Sequence, residues 1–530
     1  MGYITGIARE QLILFPESLD EYIAADNPVR FIDAWVDSLD LAGLGFSDTV
    51  PAETGRPGYD PRLLTKLYLY GYLNRVRSSR KLEQECHRNV EVMWLMGKLA
   101  PDHKTIADFR KDNLAVFKAL FKAFCLLCRE LELFGGELMA IDGSKFKAVN
   151  SAKRNFTQDQ VKDYLAQVEE RLASYLLELD QADQSEGAAQ PAKLSATELQ
   201  AKIERLKTRQ EKYQGYLKRM EESGQSQLSL TDPDSRAMPK SPKAPVAYNV
   251  QSVVDSKHHL IVAQDVTNEV TDRDLLSPMA IAGKQMLAVE QVKAVADKGY
   301  SHGKELKACL EAGIEPYVAR PDTSANTKLG LFGKELFVYD PDTDTYTCPA
   351  GETLAFRFDT IEKERHIRYY KTSACSKCPL RDKCTRNKEG RRITRWVDEH
   401  IIEQTQARVQ AHPEIMQQRQ QLVEHPFGTI KFWWDQGHFL MKGLEKVKAE
   451  FSLSTLAYNI RRVLNILGVE RLLAILSERK IDGFDLNLAA KTLIYAFCSS
   501  ILSGDTLLIP IRPSFGLMSP PFCPGSALFS

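Results

Sequence analysis

Three acidic residues occur in contexts that suit phosphodiester chemistry. Asp142 and Asp297 each follow a short apolar run that predicts a buried strand, and each precedes a glycine within two residues. Glu424 stands before a His-Pro-Phe-Gly segment. Two Mg²⁺ ions about 4 Å apart can stabilise the attacking and leaving oxygens of a phosphoryl transfer, and carboxylates are ligands that Mg²⁺ prefers. The pattern is compatible with a metal-dependent nuclease, although a single strand-terminal Asp is often only a turn residue or cap. Four neighbouring acids are interpreted as unrelated to such a site: Asp255, Asp265, Asp272 and Asp274.

The elements that would position these acids alternate between strands and helices. Helix formers predict helices at residues 62–76 and 114–133. From residue 137 onward, the predicted order is a strand, a long charged helical hairpin, strands, a helix, a strand, a helix and a strand. This order predicts a mixed sheet covered by helices, an α/β fold with a helical N-terminal part.

A group of four cysteines in turn-rich sequence indicates a second, structural metal. Two residues separate Cys375 from Cys378, and Cys348 and Cys384 lie within the same region. Such a group can bind tetrahedral Zn²⁺ through four thiolates, which leaves no open coordination position for catalysis. The alternative is four unrelated thiols. Cys125 and Cys128 have the same spacing in an apolar helix and are expected in the core.

Basic residues cluster in the N-terminal part and suggest contact with DNA, the alternative being a solvated helix face. The candidates are Arg75, Arg77, Arg80, Lys81, Lys104 and Arg110. The whole chain has 70 Lys and Arg and 70 Asp and Glu, so global charge does not itself favour a nucleic-acid partner.

Composition excludes several other classes. With 43% hydrophobic and 26% charged residues, the 530-residue chain is typical of a globular protein with more than one packed unit. We expect no secretory signal and no membrane span. The ten cysteines form no dense framework, which favours a reducing, cytoplasmic location.

Several motifs, in order along the chain, resemble the DDE-domain transposases of bacterial insertion sequences. They are IDGSKFK around Asp142, ADKGY around Asp297, VEHPFGTIK around Glu424, TDPDSR at 231–236, and longer stretches that begin PGYDPRLL and AYNVQSVV. The resemblance covers roughly residues 10–465.

The resemblance implies an RNase H-like catalytic fold and a two-metal mechanism. Hydrolysis would expose a 3′-hydroxyl at the element end, and that hydroxyl would then attack target DNA. Asp142, Asp297 and Glu424 would bind Mg²⁺, which Mn²⁺ can replace. The partners would be double-stranded DNA, as terminal inverted repeats and target, and a second copy of the chain, at least a dimer.

A Tyr-Arg-Glu-Lys signature found in many of these enzymes is incomplete here. Lys431 matches its Lys, which handles phosphate near the cut. The positions of its Tyr and Arg are Gln417 and Gln420, and Arg419 is one residue out of register. Trp433 and Trp434 follow and could stack on a flipped base, the alternative being core aromatics. The incomplete signature leaves a catalytically silent DNA-binding derivative open, and the acids alone leave a nuclease that cuts without joining.

The predicted domains follow from these motifs. Residues 1–135 form a helical, DNA-binding domain, and residues 136–465 form the RNase H-like domain. Residues 156–245 are its helical-hairpin insertion with a linker, and residues 320–400 its Cys-rich zinc-knuckle insertion. Residues 466–530 contain C-terminal helices and a poorly packed tail.

Overall fold

The computed structural model describes residues 18–47, 49, 58–184, 196–238, 245–321, 325–362 and 365–481. The N-terminal helices are α1 (Pro28–Asp37), α2 (Pro61–Leu73), α3 (Ser79–Arg88), α4 (Val90–Leu95), α5 (His103–Asp112) and α6 (Leu114–Glu130). The next elements are β1 (Leu138–Lys147), β2 (Asn155–Thr157), α7 (Gln158–Gln184), α8 (Ala196–Ser223), β3 (Gln227–Ser229) and β4 (Arg236–Ala237). They are followed by β5 (Val246–Asp255), β6 (Ile261–Thr267), α9 (Leu276–Leu287), β7 (Val292–Ala296), α10 (Gly303–Glu311) and β8 (Ile314–Val318).

The remaining elements complete the described chain. The Cys-rich region contains α11 (Ala325–Lys328), β9 (Val338–Asp340), β10 (Thr345–Thr347), β11 (Thr353–Glu362), β12 (Arg365–Lys371), α12 (Arg381–Cys384) and β13 (Arg392–Trp396). Beyond it lie α13 (Glu399–Ala411), α14 (Pro413–Phe427), α15 (Leu444–Leu467) and α16 (Val469–Ile481). A π-helical segment, Gly428–Trp433, continues directly from α14.

The predicted helices and strands are confirmed, with shifts at their ends. The first predicted helix begins at Pro61, because the Asp60 side chain accepts a hydrogen bond from the amide of Arg62. It ends at Leu73, before the left-handed residue Arg75 (φ 66°). The predicted helical hairpin is α7 and α8, and the break predicted at 187–191 lies outside the described residues.

The main sheet has six strands and is mixed, as the sequence predicts. Its order is β4-β5-β1-β7-β8, with β6 also paired to β5. Strand β1 pairs with β5 antiparallel along nearly its whole length, but with β7 in parallel only from Leu138 to Ile141. The Cys-rich region forms a separate antiparallel sheet, β13-β12-β11-β10-β9.

Helices cover both faces of the main sheet. On one face, Met139 and Ile141 of β1 pack with residues of α9 and α10. On the other, Leu138 and Ala140 pack against Leu422 and Val423 of α14. The two sets alternate along β1 because successive side chains of a strand point to opposite faces.

Helix α15 joins the N-terminal helices to the sheet. It contacts α2, α6 and β6, and its residues share one apolar core with theirs. The Asn459 amide group exchanges two hydrogen bonds with the backbone of Ile261 in β6. Among the described residues, no helix is long and apolar enough to cross a bilayer.

A buried ion pair also connects the N-terminal part to α15 and to the segment before it. The Arg77 guanidinium lies 3.2 Å from a carboxylate oxygen of Glu450 and donates to the carbonyl of His438. The Glu450 carboxylate accepts the amides of Leu440 and Met441. The side chains of Arg77 and Glu450 are 8% and 1% exposed, so loss of either partner leaves a buried charge unpaired.

We predict that Arg77→Ala will reduce the free energy of unfolding by about 3–5 kcal/mol, the typical cost of breaking a buried pair. Urea denaturation followed by circular dichroism would measure the change. The control is Arg62→Ala, because the Arg62–Asp60 pair is exposed and such pairs contribute about 1 kcal/mol or less. Equal stability of the two variants would contradict a structural role for Arg77.

Candidate active site

The register of β1 and β7 places two of the predicted catalytic acids side by side. The two strands are parallel, and Ile141 is opposite Ala296 as their last pair. Asp142 directly follows Ile141, and Asp297 directly follows Ala296. By strand alternation, Asp142 shares the face of Ala140, and Asp297 follows Val295 on that same face. Both carboxylates therefore lie on the α14 side of the sheet, where the pairing of β1 with β7 ends.

The structure corrects one detail of the sequence analysis at this point. Asp142 was expected to close its strand, but β1 continues five residues further, to Lys147. The reason is that β5 pairs with β1 as far as Lys147 and Ala247. Asp297 does follow the last residue of β7, and its carboxylate accepts the amide of Gly299 at 2.7 Å.

The carboxyl of Asp142 has an unusual electrostatic environment. Its pKa is raised to about 6, chiefly by burial and in part by the nearby carboxylates of Asp297 and Asp272, while the Arg419 guanidinium opposes the rise. The Arg419 guanidinium lies 3.9 Å from the Asp142 carboxylate. A partly buried acid beside other acids favours either a proton or a bound cation.

The third predicted acid lies on the helix that covers this face. Leu422 and Val423 anchor α14 in the core, while Glu424 is exposed and its carboxylate accepts a 2.8 Å hydrogen bond from the Gln420 amide. The two positions at which the signature would have Tyr and Arg are thus both Gln, and one of them binds Glu424. The out-of-register Arg419 is the residue that reaches Asp142.

Lys431 is fixed against the same strand as Asp142. Its ammonium group donates to the Ser144 hydroxyl at 3.2 Å and to the Lys145 carbonyl at 3.0 Å. Burial, and then the charge of Lys147, lower the pKa of Lys431. The ammonium therefore lies two to three residues along β1 from Asp142, on a π-helical segment of a kind that is common at functional sites.

A polar cluster that the sequence analysis missed supports the site from the other face. The Asp272 carboxylate accepts hydrogen bonds from Asn249 (2.6 Å), Gln251 (2.9 Å) and Lys145 (3.4 Å). The hydroxyl of Tyr300, three residues after Asp297, donates to the side-chain amide oxygen of Gln251. Asp272 had been interpreted as unrelated, although two amides on one face of the fully buried strand β5 were a signal of a buried polar partner.

Glycine at 143 is required by this cluster. A Cβ atom there would lie 2.3 Å from the Gln251 amide nitrogen and 2.9 Å from an Asp272 oxygen. The glycine after Asp142 is therefore needed for the packing under the strand.

Asp142, Asp297 and Glu424 do not form a closely grouped ligand set, but another group among the described residues does. Ligand atoms of Asp274, His302 and Glu305 all lie within 4.8 Å of one another. His302 and Asp274 are hydrogen-bonded to each other at 2.6 Å, and Glu305 accepts from the hydroxyl of Ser277 at 2.7 Å.

The four cysteines of the predicted zinc knuckle line one small cavity beside β10, β11 and α12: Cys348, Cys375, Cys378 and Cys384. Burial raises the pKa of Cys384, and the other three thiols raise it further while Arg391 opposes them. No three of these sulfur atoms all lie within 4.8 Å of one another, as the ligand atoms of Asp274, His302 and Glu305 do. Cys125 and Cys128 are fully buried, as expected for core residues.

The predicted DNA-binding residues fall into two groups. Exposed or partly exposed are Arg75, Arg80, Lys81, Lys104, Arg419 and Trp433. Buried are Arg77, Arg110 and Trp434. Arg110 contacts the ring of Tyr68 and the hydroxyl of Tyr72, and Arg77 forms the ion pair with Glu450, so neither guanidinium is on the surface. Trp433 is 75% exposed and Phe432, which the sequence analysis passed over, is 76% exposed.

Comparison with known proteins identifies two segments. Residues 17–112 match a transposase domain of the DUF772 family, and residues 347–464, which include Glu424 and Lys431, match a transposase DDE domain.

No curated protein sequence matches the chain. Among solved structures, the chain is similar to a piggyBac transposase in a synaptic complex with hairpin DNA, with 9% identity, 85% and 84% of the two chains covered, and a TM-score of 0.26. A likeness at that score supports no structural argument. These two transposase-domain matches, in this order along the chain, support an insertion-sequence DDE transposase.

Proposed function

We propose that the chain cuts the ends of its own insertion sequence and joins the exposed 3′-hydroxyl to target DNA, using two Mg²⁺ ions bound by Asp142, Asp297 and Glu424. The observation that carries the proposal is the placement of Asp142 and Asp297 next to each other on the face that α14 covers. The strand order is β6-β5-β1-β7-β8. The pairings β6–β5 and β5–β1 are antiparallel, and the pairings β1–β7 and β7–β8 are parallel. This arrangement supports an RNase H-like catalytic fold.

The residues at this site fit a divalent cation. Burial of the Asp142 carboxyl raises its pKa, and the Arg419 guanidinium, 3.9 Å away, offsets this rise only in part. Hard oxygen ligands on a rigid strand end suit Mg²⁺. When bound, the ions would stabilise the attacking and leaving oxygens of an in-line displacement.

The protein side chains would then position the DNA. Lys431, held by Ser144 and the Lys145 carbonyl, presents a fixed positive charge to a phosphate next to the cut. Arg419 would move its guanidinium from Asp142 to a phosphate oxygen. The exposed rings of Trp433 and Phe432 would stack on an unpaired base, whereas the buried Trp434 would not.

The remaining exposed cations would contact DNA outside the catalytic centre. Arg75, Arg80, Lys81 and Lys104 lie on the surface of the N-terminal helices. Cutting two element ends in one complex would need at least two copies of the chain.

A first test compares Asp297→Ala with wild type on duplex DNA that carries the end of the encoding element, with Mg²⁺ present. We expect nicking to fall about 10³-fold or more, because several kcal/mol of transition-state stabilisation is lost. Asp265→Ala, which removes a surface carboxylate paired with Lys448, is the matched control and should retain activity.

The products decide between the alternatives. Joined DNA from wild type establishes transposition, whereas nicks without joining indicate a nuclease. Binding without any cleavage, with Mg²⁺ or Mn²⁺, would refute the proposal and favour a silent derivative.

The raised pKa of Asp142 predicts a pH dependence of metal binding. The folded-state pKa of about 6 lies above the ordinary value of about 3.9 for an unfolded Asp, so the metal-free fold binds the additional proton between these values. Its stability therefore falls as pH rises from about 4 to about 6. A metal ion must displace that proton, so affinity should fall about tenfold per pH unit below about pH 6.

Electron paramagnetic resonance of free Mn²⁺, titrated with protein at several pH values, would measure this affinity. Asp142→Asn is the control, since an amide has no titrating proton and should remove the dependence near pH 6. The same steep fall in Asp142→Asn would assign it to another group.

We further propose that the four cysteines bind one structural Zn²⁺. Protein purified without chelator should contain about one zinc per chain by mass spectrometry, and Cys375→Ser/Cys378→Ser should lose it, with a lower melting temperature. The control is Ser376→Ala, in the same turn but without a thiol. Wild-type protein without zinc would overturn this assignment.

A further inference from the structure

The strongest concentration of positive charge lies in the Cys-rich region, not in the N-terminal helices. Between Thr353 and Trp396 there are thirteen Lys and Arg residues and five Asp and Glu, an excess of eight positive charges in a chain whose net charge is zero. This segment forms β11, β12 and β13 of the second sheet. The local charge of one region, rather than that of the whole chain, determines where a polyanion binds.

The strand register gathers cations and aromatic rings on one face of this sheet. Phe358 is opposite Tyr369, and Arg392 is opposite Lys371, which is two residues from Tyr369 and so on the same face. Arg357, at the bulge in β11, lines one open depression of about 440 Å³ together with Lys371 and Lys388. We call the set Arg357, Phe358, Tyr369, Lys371 and Arg392 the basic ribbon face.

The basic ribbon face is open rather than packed. Arg357, Phe358 and Arg392 are exposed, Phe358 by 47%. The rings of Phe358 and Tyr369 are stacked with centroids 4.6 Å apart, and the Arg392 guanidinium lies 5.9 Å from the Tyr369 centroid. The opposite face, with Tyr370 and Ile393, contributes instead to the core of the sheet.

Hydroxyl groups and one acidic residue also line this depression. Thr372, Ser373 and Ser376 line the same depression. One acid, Glu389, lies 3.6 Å from Lys371, so the three cations of the depression exceed its acids by two. Cations with hydroxyl donors in an open concavity suit phosphate oxygens.

The sheet that carries this face contacts a helix that covers the main sheet. Trp396, at the end of β13, packs on the first turn of α10, where a Cβ atom on Gly303 would lie 2.6 Å from its ring. Helix α10 begins six residues after Asp297. The sheet that carries the basic ribbon face is therefore anchored on the helix that follows Asp297, on the face of the main sheet opposite α14.

We propose that the basic ribbon face binds the phosphate backbone of duplex DNA. The face extends over three neighbouring strands, β11, β12 and β13, and its three cations, Arg357, Lys371 and Arg392, would each displace counterions from the DNA backbone. The proposal rests on the proposed function, in that DNA is the substrate, and adds where this chain grips it. The DNA can be the element end or the target, since phosphate contacts carry no sequence information.

The test is fluorescence anisotropy with full-length protein and two labelled duplexes, one from the element end and one of unrelated sequence. Arg357→Ala/Lys371→Ala/Arg392→Ala should weaken binding tenfold or more, and the slope of log affinity against log salt should become shallower by about 2–3, from roughly 0.9 per phosphate contact. Loss on both duplexes, or on one alone, supports the proposal and tells which DNA the face holds.

The matched control removes the same charge from another exposed surface. Arg205→Ala/Lys207→Ala/Arg209→Ala alters three exposed cations of α8 and should leave the salt slope unchanged. Unaltered affinity and slope in the ribbon variant on both duplexes, or an equal loss in the control, would overturn the proposal. Circular dichroism and melting temperature would verify that both variants fold.

Cleavage is scored separately from binding. Wild-type nicking with an unchanged ribbon variant would leave the proposed function standing and remove the ribbon proposal. If the wild type does not nick DNA but the ribbon variant loses binding, the ribbon proposal stands and the proposed function is removed.

Discussion

The candidate site depends on the unequal pairing of one strand. Strand β1 is bonded to β5 along its length but to β7 only as far as Ile141. Beyond Ile141, Asp142 remains paired with β5 on one side but has no partner in β7 on the other, and Asp297 begins the loop that leaves β7. Helix α14 then covers the face on which both carboxylates lie. A shift of one residue in the β1–β7 register would move Asp142 and Asp297 to opposite faces.

The site also contains an electrostatic conflict that the protein must resolve. Carboxylates repel the phosphate they are proposed to act on, and Arg419 offsets this charge only in part. Binding energy from remote contacts can hold a substrate where local forces are unfavourable. A neutral chain that concentrates its positive charge on a separate sheet would supply such contacts at a distance from the acids.

The sequence predicted the strands and the helices, because apolar periodicity is a local signal, and it singled out Asp142 and Asp297 because each follows an apolar run and precedes a glycine within two residues. It could not predict that Arg77 is buried, since its partner Glu450 lies 373 positions away. Arg110 and Trp434 are buried for the same reason, by residues distant in the sequence. The Asp272 cluster required knowledge of which strands are neighbours. The positions of Asp142 and Asp297 relative to one another were likewise not contained in either motif alone.

The helical insertion has a consequence for the order of folding. Strands β1 and β5 form a hairpin whose connection is roughly 100 residues long, and closing so long a flexible loop is entropically costly. Inside that connection, α7 packs against α8 and β2 pairs with β3, so most of its length is closed by contacts of its own. Once these form, only the short stretches on either side of the β2–β3 pair remain as loop. The insertion therefore lowers the apparent contact order of the main sheet, and its early folding would accelerate the pairing of β1 with β5.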